Sequence, residues 1–203
     1  MKIGIINNEL GNIASVYSAL KFYNFDISLI NQPSAISKVD IIVLAGVGNF
    51  NRAVKTLKKL RFWDALNHAV QIQKKPIIGL CLGMQLFADV SFEDGENKGF
   101  GWIKGKVIRL NPTQGRVPHT GWDSILPYDS NIFQNTRYNS FYFMHSYHFI
   151  PEDPAVIIAS CEFGKIKMVA GVREKNIIGV QFHPEKSQGD GLRLLRNLVE
   201  TIQ

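Results

Sequence analysis

Two stretches far apart in the chain carry side chains able to make and break bonds. The first is Pro76-Ile77-Ile78-Gly79-Leu80-Cys81-Leu82-Gly83-Met84-Gln85. Its apolar lead has the length of a buried strand, and Met84 to Ala88 reads as the start of a helix. The Gly-x-Cys-x-Gly between them fits the strand–turn–helix frame of a nucleophile elbow, with cysteine as the nucleophile. So tight a turn needs small neighbours, which Gly79 and Gly83 supply. Backbone N–H groups at the helix start would face the sulfur, favouring a thiolate and later holding an oxyanion. On its own, a cysteine between two glycines more often reads as a buried structural thiol. The second stretch, His183-Pro184-Glu185, changes the balance. A thiol needs a base, and the base needs an orienting group. In an extended segment, residues two apart share a side. Glu185 is therefore expected to hold the His183 imidazole, with Pro184 stiffening the link.

Periodicity indicates the elements that must position these groups. Lys2 to Asn7 reads as a strand, and Asn12 as the cap of a helix marked by Ile13, Val16, Tyr17, Leu20 and Tyr23. Asp26 to Asn31 and Asp40 to Ala45 read as strands, the latter apolar throughout, as a strand covered on both faces should be. Val54, Leu57 and Leu60 suggest one helix, and Phe62, Leu66 and Val70 another. This alternation predicts an α/β fold: a single domain over 1–203 with an open mixed sheet, mostly parallel and doubly wound. The second half differs. Glu93 to Gly105 reads as a loop. Lys106 to Leu110, Phe141 to Ile150, Val156 to Cys161, Lys167 to Arg173 and Ile177 to Phe182 read as strands whose hairpin-like spacing predicts antiparallel additions. A closing helix carries Leu192, Leu195, Leu198, Val199 and Ile202 on one face.

The totals exclude several classes. The 203 residues suffice for one sizeable core. The net charge of +6 comes from scattered lysines, densest at Lys55, Lys58, Lys59 and Arg61, without the aromatic interleaving of a single-strand binder, so no nucleic-acid partner is expected. No apolar run approaches the ~18 residues of a membrane span, and Asn7-Asn8-Glu9 interrupts the first run too early for a signal peptide. Two cysteines without paired spacing, Cys81 and Cys161, suggest free thiols in a reducing, cytoplasmic compartment. No phosphate-binding glycine loop occurs, and no metal or organic cofactor is expected. If Phe141 to Ile150 is one strand, His145 and His148 point to opposite faces and share no metal. His145 then reads as a pocket wall, His148 and His68 as surface residues, Trp63 and Trp102 as core, and Cys161 as a buried, inert thiol.

The elbow together with His183-Pro184-Glu185 resembles the class I, triad-type glutamine amidotransferases. Ala45-Gly46-Val47-Gly48, Pro118-His119-Thr120-Gly121-Trp122-Asp123, His145-Ser146-Tyr147 and Gln181 to Ser187 narrow the likeness to the glutaminase subunits of imidazole glycerol phosphate synthases. The likeness runs from the first strand to the last helix. It implies hydrolysis of L-glutamine to glutamate and ammonia through a thioester, with Cys81 as nucleophile, His183 as base and then acid, and Glu185 as orienter. It implies oxyanion donors at the backbone N–H groups of Val47 and Leu82, and a glutamine pocket of Gly48, Gln85, Glu93, His145, Ser146 and Tyr147. It places His119, Trp122, Asp123, Tyr142 and Lys186 at or near the face docking on a separate (β/α)8-barrel synthase subunit, which receives the ammonia in a heterodimer of the histidine pathway. A duplicated copy could instead feed an acceptor such as a surface-sugar amidotransferase. The family usually has Pro at Ala45, Asn at Asp123 and an Asp-Tyr-Gly pattern near Asn7-Asn8-Glu9-Leu10; the last two lie where a partner would be recognised.

Overall fold

Short strands that are apolar on both sides pair in parallel at the centre of the molecule, because only helices on both faces can cover them. The computed structural model describes residues 1–202. In chain order the elements are β1 (Lys2–Ile6), α1 (Ile13–Lys21), β2 (Asp26–Ile30), β3 (Ile41–Gly46), α2 (Phe50–Lys59), α3 (Phe62–Asn67), β4 (Ile77–Cys81) and a one-turn α4 (Leu82–Gln85). There follow β5 (Val90–Ser91), β6 (Asn97–Lys98), β7 (Gly105–Arg109), β8 (His119–Pro127), β9 (Ser140–His145), β10 (Tyr147–Pro151), β11 (Ile157–Phe163), β12 (Ile166–Glu174), β13 (Ile177–Val180) and α5 (Gln188–Thr201). A nine-stranded sheet runs β2-β1-β3-β4-β13-β12-β11-β8-β9. Its first five strands are mutually parallel and the rest pair antiparallel. This is the doubly wound α/β sheet with antiparallel additions that the alternation implied. A four-stranded sheet, β10-β7-β5-β6, adds a small second layer that the sequence did not suggest.

The period of two along a strand divides the core. On β3, Ile41, Val43 and Ala45 face α1 and α5 residues such as Val16, Leu20, Leu194 and Leu198. Ile42 and Leu44 face the other way, toward Phe50, Leu57, Phe62 and Leu66 of α2 and α3. Strand β4, central and buried along its whole length, ends on Cys81.

Three local readings are corrected. The segment expected as one strand over Phe141 to Ile150 is two, β9 and β10, in different sheets. The chain changes sheet at Ser146, whose carbonyl accepts the Leu110 N–H at 2.9 Å. His148 is consequently buried rather than on the surface, and burial lowers its imidazole to about 4. The helix after Cys81 is a single turn. The carbonyls of Leu86, Phe87 and Ala88 accept N–H groups of Phe100, Trp102 and Gly101 at 2.8 to 2.9 Å, and those tertiary bonds end the helix. Asn12 precedes α1 in a left-handed conformation and makes no cap bond.

The elbow is as confined as its glycines imply. Cys81 sits at φ 52°, ψ −107°, a strained conformation for a residue with a side chain. A Cβ on Gly83 would lie 1.8 Å from the Leu44 carbonyl oxygen, and one on Gly79 would meet the Phe87 ring at 2.5 Å. The obstacle at Gly83 is backbone and cannot swing away. Gly83→Ala should therefore lower stability by about 3 kcal/mol or more, read as a drop in the urea midpoint; a midpoint shift within error would mean that α4 is not held this closely on β3.

Candidate active site

The carboxyl ends of three adjacent parallel strands meet at one place, where open α/β sheets form clefts. Strand β4 delivers Cys81, and its neighbour β3 pairs Gly46 with Cys81 before running into Val47-Gly48. On the other side β13 pairs Val180 with Leu80, and the chain continues through Gln181 and Phe182 to His183. His183 Nδ1 lies 2.7 Å from Glu185 Oε1, with both side chains almost wholly buried. The pairing is not made in an extended segment: Pro184–Lys186 is a 3-10 turn, and that turn brings the carboxylate under the ring. Asn12 donates its side-chain amide to the same Glu185 oxygen. The backbone of His183 is fixed as well, its N–H donating to the Tyr142 carbonyl at 2.8 Å and its carbonyl accepting from Ser187 Oγ at 2.6 Å.

His183 Nε2 is buried without a hydrogen bond of normal geometry among the described residues, yet the Cys81 sulfur is near enough to act on it. Burial pulls the imidazole down, but Cys81 and then Glu185 prevail and raise it to about 10. Gln181, fully buried, donates from Nε2 to Cys81 Sγ at 3.6 Å. Its Oε1 accepts from Gln85 Nε2 at 3.0 Å, and Gln85 Nε2 also donates to the Tyr147 carbonyl at 2.8 Å. With both Gln85 hydrogens engaged, the Gln181 amide is locked with one hydrogen directed at the sulfur.

A cleft of about 410 Å³ opens over Cys81. Its walls include Val47, Gly48, Leu82, Gln85, Glu93, His145, Ser146 and Tyr147, the residues expected to bind or polarise a glutamine. Asn49, Pro118 and Met144 also line it, and the sequence reading missed them. Glu93 accepts the Phe50 N–H at 2.7 Å; burial raises its carboxyl above the usual range. His145 is driven down to about 3 by burial first and then by neighbouring His119. Its Nδ1 contacts the Tyr147 carbonyl at 2.8 Å.

One expected oxyanion donor is turned away. The Val47 N–H donates to the Leu10 carbonyl at 3.1 Å instead of facing the cleft. Leu82, the first residue of α4, keeps its N–H at the unpaired end of the helical turn, beside Cys81. The first loop, which supplies that Leu10 acceptor, is anchored inward at Asn8 while Glu9 stays exposed. Asn8 is fully buried, donates to the Ala45 carbonyl at 2.8 Å and accepts the Leu10 N–H at 3.2 Å.

The residues expected at a docking face divide into two groups. Trp122 and Tyr142 are cross-strand partners with rings 6.3 Å apart, and Lys186 Nζ lies 5.8 Å from the Tyr142 ring centroid. Trp122 is half exposed. His119 and Asp123 alternate with Trp122 along β8 and so project from its other face, where His119 is buried. Among the missed residues, Gln181 carries a faint sequence signal, a polar side chain ending an apolar strand. Asn12 carries none, because its partner is far away in the chain.

A family model described as glutamine amidotransferase class-I matches residues 5–201. The chain belongs to this family. The imidazole glycerol phosphate synthase subunit HisH of Pyrococcus furiosus is 40% identical over 198 residues, covering 97% of each chain. The subunit of the same name from Pelagibacter ubique is 38% identical over 98% of this chain and 99% of its own. Vibrio vulnificus subunit HisH 2 is 39% identical over 100% of this chain and 96% of its own. Among solved structures, a glutamine amidotransferase superposes with a TM-score of 0.78 at 17% identity, covering 98% of each chain. The PurLQS structure from Thermotoga maritima gives 0.73 at 17% identity, covering 100% of this chain and 99% of that one. These two likenesses establish the amidotransferase fold.

His183 binds a proton more tightly folded than unfolded. Its contribution to stability is therefore complete below the ordinary value of 6.5 and is lost as pH rises through about 10. The stability difference between the native amidotransferase and its His183→Gln variant, measured by urea unfolding, should shrink as pH rises from 6.5 to 10. A difference constant across that range would contradict the raised value.

Proposed function

We propose that this amidotransferase is the glutaminase subunit of an imidazole glycerol phosphate synthase, hydrolysing L-glutamine to glutamate and ammonia through a thioester on Cys81. The observation that carries the reading is that Cys81 opens onto a cleft of about 410 Å³ while His183, paired with Glu185, stands behind its sulfur. The full-length likeness to subunits bearing the synthase name supports the acceptor. An alternative acceptor, such as a surface-sugar amidotransferase, has no comparable support.

In the proposed reaction the Cys81 sulfur attacks the side-chain carboxamide carbon. Gln181 donates a hydrogen bond to that sulfur, and the proton resides on His183, oriented by Glu185 and Asn12. The carbonyl electron pair moves onto oxygen, where the Leu82 N–H stabilises it. A second donor requires the Gly46–Val47 peptide to turn its N–H away from Leu10 and into the cleft. A preorganised donor of this kind contributes about 3 kcal/mol to the barrier, so the turned-away state is a slow one. The tetrahedral species collapses as the C–N bond breaks, and His183 gives its proton to the leaving ammonia. Water then attacks the thioester, losing a proton to His183, and glutamate leaves with the thiol restored.

Free ammonia is mostly protonated in neutral water and no longer nucleophilic, so it must pass directly to an acceptor. Relatives bearing the synthase subunit name match this chain over nearly their whole length, which favours an acceptor on another subunit. The proposed partner is thus a separate (β/α)8 subunit, docked in a heterodimer over the Trp122, Tyr142 and Lys186 face. It would form imidazole glycerol phosphate and an aminoimidazole carboxamide ribotide. The proposed compartment is the cytoplasm, where both free thiols stay reduced.

Glutamate release should be measured with the barrel subunit present. Cys81→Ser should lower it at least ~10³-fold and Glu185→Gln ~10²- to 10⁴-fold. Gln181→Leu should slow both glutamate release and alkylation of Cys81 by iodoacetamide. A glutamine-analogue electrophile should label Cys81. Activity surviving Cys81→Ser, or absence of the adduct, would remove the thioester. Failure to restore growth of a histidine auxotroph lacking its own glutaminase, despite glutaminase activity, would remove the acceptor assignment.

A further inference from the structure

Behind the cleft wall, on the face of β8 opposite Trp122, three potential metal ligands converge without a role in the proposed reaction. They are His119, Asp123 and Cys161, with donor atoms all within 4.8 Å of one another. Gly121, at φ 131°, lies between the first two on β8, and His119 Nε2 and Asp123 Oδ2 are 3.0 Å apart although four residues separate them on one strand. Cys161 arrives from the neighbouring strand, where it pairs with Ile125 and therefore projects to the same face. His119 is held between the rings of Phe143 and Phe163, with centroid distances of 4.6 and 5.3 Å.

Hydrogen-bond direction fixes what His119 offers. His145 Nδ1 faces the Tyr147 carbonyl and must carry a hydrogen. The other His145 nitrogen, Nε2, lies 3.1 Å from His119 Nδ1, and one of that pair must donate. With a single proton per ring, His119 Nδ1 is the donor, and its Nε2 lone pair points at a carboxylate oxygen. A lone pair 3.0 Å from a carboxylate is repulsive unless a cation lies between them or the ring takes a second proton. The pattern is that of a ligating imidazole whose other ring N–H donates to a second-layer acceptor.

We propose that His119 Nε2, Asp123 and Cys161 Sγ form a binding site for one divalent cation of the zinc class. Nitrogen, oxygen and sulfur donors suit zinc and exclude the hard, oxygen-loving magnesium and calcium. A carboxylate and a thiolate together neutralise the two positive charges. Burial, then Asp123 and Glu162, push the Cys161 thiol up to about 12, so the ion binds by displacing the S–H proton to solvent. A separate cleft of about 570 Å³, bordered by His119, Asp123, Arg116 and Glu162, provides access and room for a water as fourth ligand. The His119–His145 contact would join the ion to the wall of the glutamine cleft.

This inference does not depend on the glutaminase reading, and its test uses no activity. The full chain, metal-free and reduced, is titrated with Co²⁺ in a Cys81→Ser background, which removes the other thiol. One equivalent should produce a near-ultraviolet thiolate-to-cobalt charge-transfer band with four-coordinate visible bands, and Zn²⁺ should displace it. Adding Cys161→Ser should abolish the charge-transfer band, and Asp123→Asn should weaken Co²⁺ binding at least tenfold with the circular dichroism unchanged. Absence of the band, its persistence after Cys161→Ser, or unaltered affinity in Asp123→Asn would overturn the site.

Discussion

The strained backbone of Cys81 is the constraint on which the rest of the structure depends. A residue with a side chain at φ 52°, ψ −107° persists only where its surroundings leave no alternative. Here the surroundings are β3 and β4, on which the one-turn α4 and the Phe87 ring pack so closely that no Cβ fits at Gly83 or Gly79. Covering both faces of those strands takes helices on each side, and hence the doubly wound sheet. The fold and the presentation of the sulfur are thus one requirement: the core that buries β3 and β4 is the same core that forces Cys81 out of its plane.

A second principle operates around that sulfur. Most buried polar groups near it are held by another, His183 Nε2 and Glu185 Oε2 excepted, and the chain of contacts is long. Tyr147 receives hydrogen bonds from both His145 and Gln85; Gln85 fixes Gln181, and Gln181 donates to Cys81. On the other flank Asn12 and His183 converge on Glu185, while Tyr142 and Ser187 fix the backbone of His183. Unsatisfied polar groups are costly in such an environment, so these networks act as jigs that allow few arrangements. The Gly46–Val47 peptide is engaged away from the cleft. Its N–H has an alternative acceptor in Leu10, presented by a loop that Asn8 anchors to Ala45. In this position the N–H does not face the cleft.

Strands β8 and β9 carry two sets of residues with opposite surroundings. Trp122, Tyr142 and Lys186 gather on the outward side, while His119 reaches inward through His145 to the cleft. The period of two makes this division unavoidable once the register pairs His119 with His145 and Trp122 with Tyr142. A motif that reads as one recognition patch along the chain therefore becomes an outer surface and an inner brace.

The sequence by itself determined whatever depends on local periodicity and steric need. The all-apolar run ending at Ala45, the strand before Cys81 and the two glycines around it permit little besides a central parallel sheet with an elbow. The chemistry of a thiol, an imidazole and a carboxylate was likewise legible from residue type and spacing. Only the tertiary structure decided how far helices and strands extend where distant backbone competes for their carbonyls, as the 100–103 segment does after Leu86 and Leu110 does at Ser146. It alone decided that Asn12 meets Glu185, that Gln181 reaches the sulfur, that Val47 points away, and that His119, Asp123 and Cys161 converge. Those outcomes arise from contacts between residues remote in the chain. No local pattern encodes such contacts, because their energy exists only once the sheet has brought the partners together.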